Sequence, residues 1–319
     1  MTRSIAKGWR PVSDNAGIAL RSWDVLTAHG PLVGQATRLT GGVYDPGPLQ
    51  YWLLTVPVHI DPLHGVLWGA ALWCMVASSI AVEAAWSVAG VLGGLTAAAI
   101  ILGALAWIPD IALLPCWNPW FGMMFFLATL ALGWATLSGR RGWWPVLVVT
   151  GSIAAQAHLM FTITAVVLIL LGLSLGLADT FREKAGYAWA VAGMLAALAC
   201  WSAPFIQEFT ARTGNITALA SGEATPGSPA GLSFGLKALA ASAQPPPFWW
   251  TPLRSLLDLG VTDQRSAVAG TVVLALAVAV LAVAMYPLRS RPAAALAAVS
   301  LTVAVGAVIT YSHIPEASL

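Results

Sequence analysis

The run LMFTITAVVLILLGLSLGLA at residues 159–178 carries no charge in twenty positions. As a helix rising about 1.5 Å per residue it is about 30 Å long, the thickness of a bilayer's hydrocarbon core. Lipid offers the backbone no hydrogen bonds, so such a run crosses a membrane only as a helix that satisfies its own amides. Outward from it, comparable runs stand at 63–83, 87–108, 119–137, 144–157, 187–205, 267–287 and 293–311, about eight spans in all. The run at 144–157 is short, and its sequence suits either a half-membrane helix or one merged with its neighbour. The sequence therefore predicts an all-α, polytopic helical bundle.

Composition agrees. The 319 residues are 58% hydrophobic and only 9% charged, with a mean hydropathy of +0.79. A soluble domain carries about 25% charged residues, so lipid must cover much of this chain. The net charge is +2, and no basic cluster of the kind that tracks phosphates is present, which argues against a nucleic-acid partner. Cys74, Cys116 and Cys200 lie far apart with no C-x-x-C pair, so neither a zinc site nor a disulfide framework is indicated.

Short basic connections set the topology. Arg140 and Arg141, Arg182 and Lys184, and Arg289 and Arg291 fall on alternate connections and mark the cytoplasmic side. The outer side then receives a first loop at 1–62, the 109–118 loop, the turn near Gln156 to His158, the 206–266 loop and the C-terminus. The chain divides accordingly into 1–62, a bundle of about six spans at 63–205, the long loop at 206–266, and two further spans at 267–319. Residues 1–45 hold no signal peptide and no span, yet are placed outside. The expectation is a longer protein in which another transmembrane helix precedes this sequence and more chain follows Leu319.

Within these segments, 13–28 reads as an amphipathic interfacial helix with Ala16, Leu20 and Trp23 on one stripe. Residues 46–60 open on the turn Pro46-Gly47-Pro48 and continue as an apolar stretch too short to span. The 206–266 loop contains Gly, Ser and Pro runs and the aromatic triplet Phe248, Trp249 and Trp250, suited to a membrane interface.

Of thirteen acidic residues, Asp14, Asp24, Asp45 and Asp61 all precede the first span. A carboxylate at a membrane surface serves as general base, metal ligand or substrate anchor. Simpler roles exist for each: Asp14 follows Ser13 at a helix start, where it caps amides, and Asp45 precedes a proline at a turn. The pair Gln156 and His158 at a span end is costly in lipid and suits either function or an interfacial position. His29, His59 and His64 lie on the same side as Asp45, so a divalent metal is conceivable, but no spacing supports one and no cofactor is indicated.

The string Ser13-Asp14-Asn15-Ala16, with Arg21-Ser22-Trp23-Asp24 and Tyr44-Asp45-Pro46-Gly47-Pro48-Leu49-Gln50-Tyr51-Trp52, resembles the first outer loop of GT-C glycosyltransferases. The nearest resemblance is to the protein O-mannosyltransferase and aminoarabinose transferase group (the family 39-like group). Its members carry one acid soon after their first transmembrane helix and a second in an acid-x-Pro-Pro-Leu-like motif some thirty residues on. Here Asp14 matches the first acid and Asp45 the second, with one residue fewer before the proline, while Asn15 stands where many members have another acid. Asn118-Pro119, Gln156-Ala157-His158 and Pro204 through Gly214-Asn215 match weaker recurring features.

The resemblance implies sugar transfer from a polyprenyl-phosphate donor to a hydroxyl on a glycan, lipid or protein, at the outer face of a bacterial cytoplasmic membrane. It implies Asp14 as base with Asp45 orienting the acceptor or sharing that task. Arg21, Arg38 and Arg212 become candidates for the leaving phosphate, and Asp24, Asn118, Gln156 and His158 for further substrate contacts. Arginine binds phosphate oxygens in pairs, which is why these cations are singled out. A contact with lipid headgroups, or pairing with Asp24, is the competing role for them. Two other functions stay open: a transporter, against which the scarcity of ionisable residues within spans argues, and a non-catalytic scaffold of a cell-envelope complex.

Overall fold

A computed structural model describes residues 5, 8–37, 43–107, 116–221, 229–242 and 290–313. Among them the structure is all α, with an isolated β-bridge between Ala36 and Tyr44. Five of the described helices are long and apolar enough to cross a membrane, and the chain is a multi-pass membrane protein. The predicted span at 267–287 lies outside the described residues, as do Arg38 and Phe248 to Trp250.

Two short helices, α1 (Asp14–Asp24) and α2 (Leu49–Ile60), precede the spans. The run α3 (Gly65–Trp107) is too long for one crossing and breaks at Ala89 and Gly90, where φ of Gly90 is +59°. Its two arms fold back on each other. Gly93 lies against the Ala85 carbonyl, and a Cβ on Gly94 would sit 2.7 Å from the Trp86 ring. Eight residues along a straight helix would be about 12 Å apart. The predicted spans 63–83 and 87–108 are thus the arms of one helical hairpin.

Next come α4 (Asn118–Leu137), α5 (Trp144–Ala157), α6 (Thr162–Glu183) and α7 (Ala188–Thr210). The short run at 144–157 is a separate helix. It is divided from α6 by the extended His158 and a 3-10 turn over Leu159–Phe161. Eleven of its fourteen residues are buried. A helix enclosed by others need not match the bilayer thickness, because protein rather than lipid meets its ends. Helices α4 and α5 form the centre: α4 touches α3, α5 and α6, and α5 also touches α2 and α7. Helices pack in lipid by close approach. Trp144 of α5 meets Trp189 edge-on at 5.4 Å and fills a notch over Gly193, where a Cβ would strike the ring.

Part of the 206–266 connection is also helical, as α8 (Asn215–Ser221) and α9 (Gly231–Ser242). The last described helix, α10 (Arg291–Ser312), packs on α4, α6 and α9.

The helix ends collect into two polar poles. At one, Arg141 pairs with Glu183 at 2.7 Å, and Arg291 pairs with Asp179 while donating from Nε to the Leu137 carbonyl at 3.0 Å. At the other, α1 and α2 lie over the first residues of α4 and the last of α5 and α7.

Candidate functional site

Asp45 sits at this second pole and is 3% exposed. Its backbone donates to the Gln35 carbonyl and accepts from Gly34 N–H, and its side chain is turned inward. The carboxylate accepts from the Asn118 amide at 3.0 Å and from the Leu159 backbone N–H at 3.2 Å. Asn118, which donates from its side chain, opens α4, and Leu159 opens the 3-10 turn before α6, where the first backbone amides lack helical partners. Burial pushes the Asp45 carboxyl up to about 8, against the pull of Leu159 and Asn118, which favour the charged form.

Asn118 is itself buried and also donates to the Ala157 carbonyl at 3.0 Å, tying α4 to the end of α5. Gln156 is 1% exposed; it donates to the Cys200 carbonyl of α7 at 2.8 Å and accepts from Leu49 N–H at 3.4 Å. Gly47 lies directly on the Gln156 amide, where a Cβ would collide, and that Cβ would also stand only 2.7 Å from Pro204. The turn Pro46-Gly47-Pro48 therefore has glycine where the backbone must touch a neighbouring helix.

Asp14 is half-buried at the start of α1 and accepts from Trp117 Nε1 at 3.0 Å. The preceding Ser13 is held at φ 50°, an uncommon region for a non-glycine residue, and makes no side-chain cap. Cys116 reaches Asn15 at 3.2 Å, and its carbonyl accepts from Gln50 at 2.6 Å. Three consecutive residues, Cys116, Trp117 and Asn118, thus hold both acid-bearing segments. One turn on, the Trp120 indole N–H is buried with no partner among the described residues.

Arg21 lies two turns after Asp14 in α1 and is exposed. Its charge and that of Asp45 both act on the Tyr51 hydroxyl, in opposite directions, and burial pushes that hydroxyl above its ordinary range. Tyr51 donates to Gln35 Oε1 at 3.1 Å. His158 is half-buried, and its Nδ1 accepts from Met160 N–H at 3.3 Å, leaving the proton on Nε2. Burial lowers its pKa to about 4, so it is neutral at pH 7 and offers a hydrogen bond rather than a charge.

Other candidates lie further out. Asp24 ends α1 half-buried, with no ion pair to Arg21 among the described residues. Arg212 is exposed beyond α7, in the segment whose Asn215 exchanges two 3.0 Å hydrogen bonds with the Tyr44 backbone. The histidines do not converge: His59 stacks on Trp23 at 4.3 Å and His64 pairs with Asp61 at 3.4 Å. No cluster of three metal-binding side chains occurs among the described residues. Gln50 and Tyr51, which lie within the Tyr44–Trp52 string without being singled out there, join the site, as do Cys116 and Trp117, which no sequence motif marks; the only hint for Trp117 is its place beside Asn118.

No family model, curated protein or solved structure matches the chain.

Proposed function

We propose that the chain is an inverting membrane glycosyltransferase of the GT-C type. In this reading the carboxylate pole faces outward across a bacterial cytoplasmic membrane. One observation carries it: Trp117 and Asn118, adjacent at the mouth of α4, hold Asp14 and Asp45 at a single pole of a membrane bundle. The donor is a sugar on a polyprenyl phosphate. The acceptor hydroxyl oxygen attacks the anomeric carbon, the carbon–oxygen bond to the phosphate breaks, and the electron pair leaves with the phosphate. The hydroxyl proton passes to Asp14, the more exposed of the two acids. Arg21, on the same helix two turns away, is the group to meet the leaving phosphate.

Asp45 acts differently. Buried against two donors, it positions the ends of α4 and α6 around the site rather than meeting substrate. The burial of Asp45, Asn118 and Gln156 also favours a second reading, a scaffold subunit of the cell envelope in which these groups only join helices.

Membranes bearing the wild type, Asp14→Asn or Asp45→Asn, supplied with radiolabelled polyprenyl-phosphate sugars, separate the two readings. Transfer by the wild type, reduced about 10²- to 10⁴-fold in Asp14→Asn, is the expected result for loss of a general base. Unchanged turnover by Asp14→Asn overturns the base assignment. No transfer from any donor leaves the scaffold.

A further inference from the structure

The opposite pole holds a cavity of about 550 Å³ between the α4–α5 turn and the end of α6, lined by Arg140, Arg141, Trp143, Val146 and Glu183 among others. Its shape follows from helix lengths. Through residues 157–162 the far ends of α5 and α6 are joined directly. Helix α5 is about 21 Å long and α6 about 33 Å, so α6 projects past the start of α5 even after the 3-10 turn at Arg141–Trp143 adds about 6 Å. The projecting end walls the recess, and the Arg141–Glu183 pair lines it.

Charge in the recess is unbalanced. Arg141 is matched by Glu183, and Arg291, which lies against Gly139, is matched by Asp179. Arg140 is exposed and makes no ion pair among the described residues, and Arg182 and Lys184 at the end of α6 are exposed as well. Among the described residues, Glu83, about 9 Å before the hairpin turn, is the remaining acid toward this pole and does not line the recess. A cation beside an indole and a valine, at the end of a membrane helix, matches the layered chemistry of a phospholipid: phosphate above, acyl chain below.

We propose that this recess binds the headgroup of an anionic phospholipid, with Arg140 on the phosphate and Trp143 and Val146 against the first carbons of the tail. The ligand chemistry is a phosphate diester, and the apolar floor selects a lipid over free phosphate. The proposal is independent of the sugar-transfer reading.

The test uses the full chain in nanodiscs of phosphatidylcholine alone or mixed with phosphatidylglycerol. Retained lipid is counted by native mass spectrometry after extraction, and size-exclusion chromatography confirms folding. The wild type is expected to retain phosphatidylglycerol preferentially, and Arg140→Gln to lose about 5-fold of that preference, the worth of one basic residue near anionic lipid. Arg10→Gln, near α1 at the other pole, is expected to keep it. Equal preference in Arg140→Gln and the wild type overturns the site. Displacement of the lipid by inorganic phosphate alone overturns the lipid as its occupant.

Discussion

The two poles of the bundle hold their charges by opposite means. At the arginine pole, cations meet carboxylates, and one pair lies in the open: Glu183 is 58% exposed in its pair with Arg141. At the carboxylate pole, Asp45 is buried and meets only neutral N–H donors. Water screens the Arg141–Glu183 pair, so it contributes little and is easily exchanged. The second pole has no screening and, among the described residues, no countercharge, so the proton on Asp45 and the positions of three helix ends depend on one another. One pole is adaptable, and the other is set by a few short contacts.

Breaking those contacts should produce the largest effect on folding. Asn118→Ala removes a donor to Asp45 and another to the Ala157 carbonyl, leaving buried acceptors short of partners. It should destabilise the protein by about 3 kcal/mol, read by thermal unfolding in detergent. An unchanged midpoint would mean that the carboxylate pole is not a joined unit. Gly47→Ala forces a methyl group into the Gln156 amide and should cost about 2 kcal/mol, the typical range for overpacking.

Acidity sharpens the comparison. The folded protein holds the Asp45 proton up to about pH 8, whereas an unfolded chain releases it near pH 4. Stability from this group is therefore present at low pH and declines as pH rises from about 4 to about 8. Asp45→Asn should flatten that decline, and Glu183→Gln should leave it intact. A slope that persists in Asp45→Asn would place its origin elsewhere. The smallest effect belongs to the arginine pole itself: Glu183→Gln should shift stability by less than about 1 kcal/mol in the same unfolding measurement.

Spans are legible in the sequence because each one is a local composition. The run at 144–157 coincides with α5, bounded by Pro145 in its first turn and by the extended His158. The pause between 83 and 87 marks the hairpin approximately, although the break falls at Ala89 and Gly90. The amphipathic stretch at 13–28 contains α1, which ends sooner, at Asp24. Pairing is another matter. Trp117 and Asp14 are 103 residues apart and Leu159 and Asp45 are 114 apart, and no periodicity links such positions. Asn118, Gln156 and Asn215 can each be singled out as polar residues near span ends. That the first two act as buried ties between helices, and that the third grips the Tyr44 backbone, emerges only when the helix ends are assembled.

The hairpin in α3 has a consequence for how this protein enters a membrane. Its bend, Ala89-Gly90, carries no charge, and Gly93 and Gly94 beside it allow the arms to touch as soon as both are helical. A turn without lysine or arginine gives the insertion machinery no cue for orientation. The two arms are suited to enter together as one hairpin. Their direction is inherited from the flanking segments, so a basic residue engineered into the 89–90 bend would add a topological signal where the chain has none.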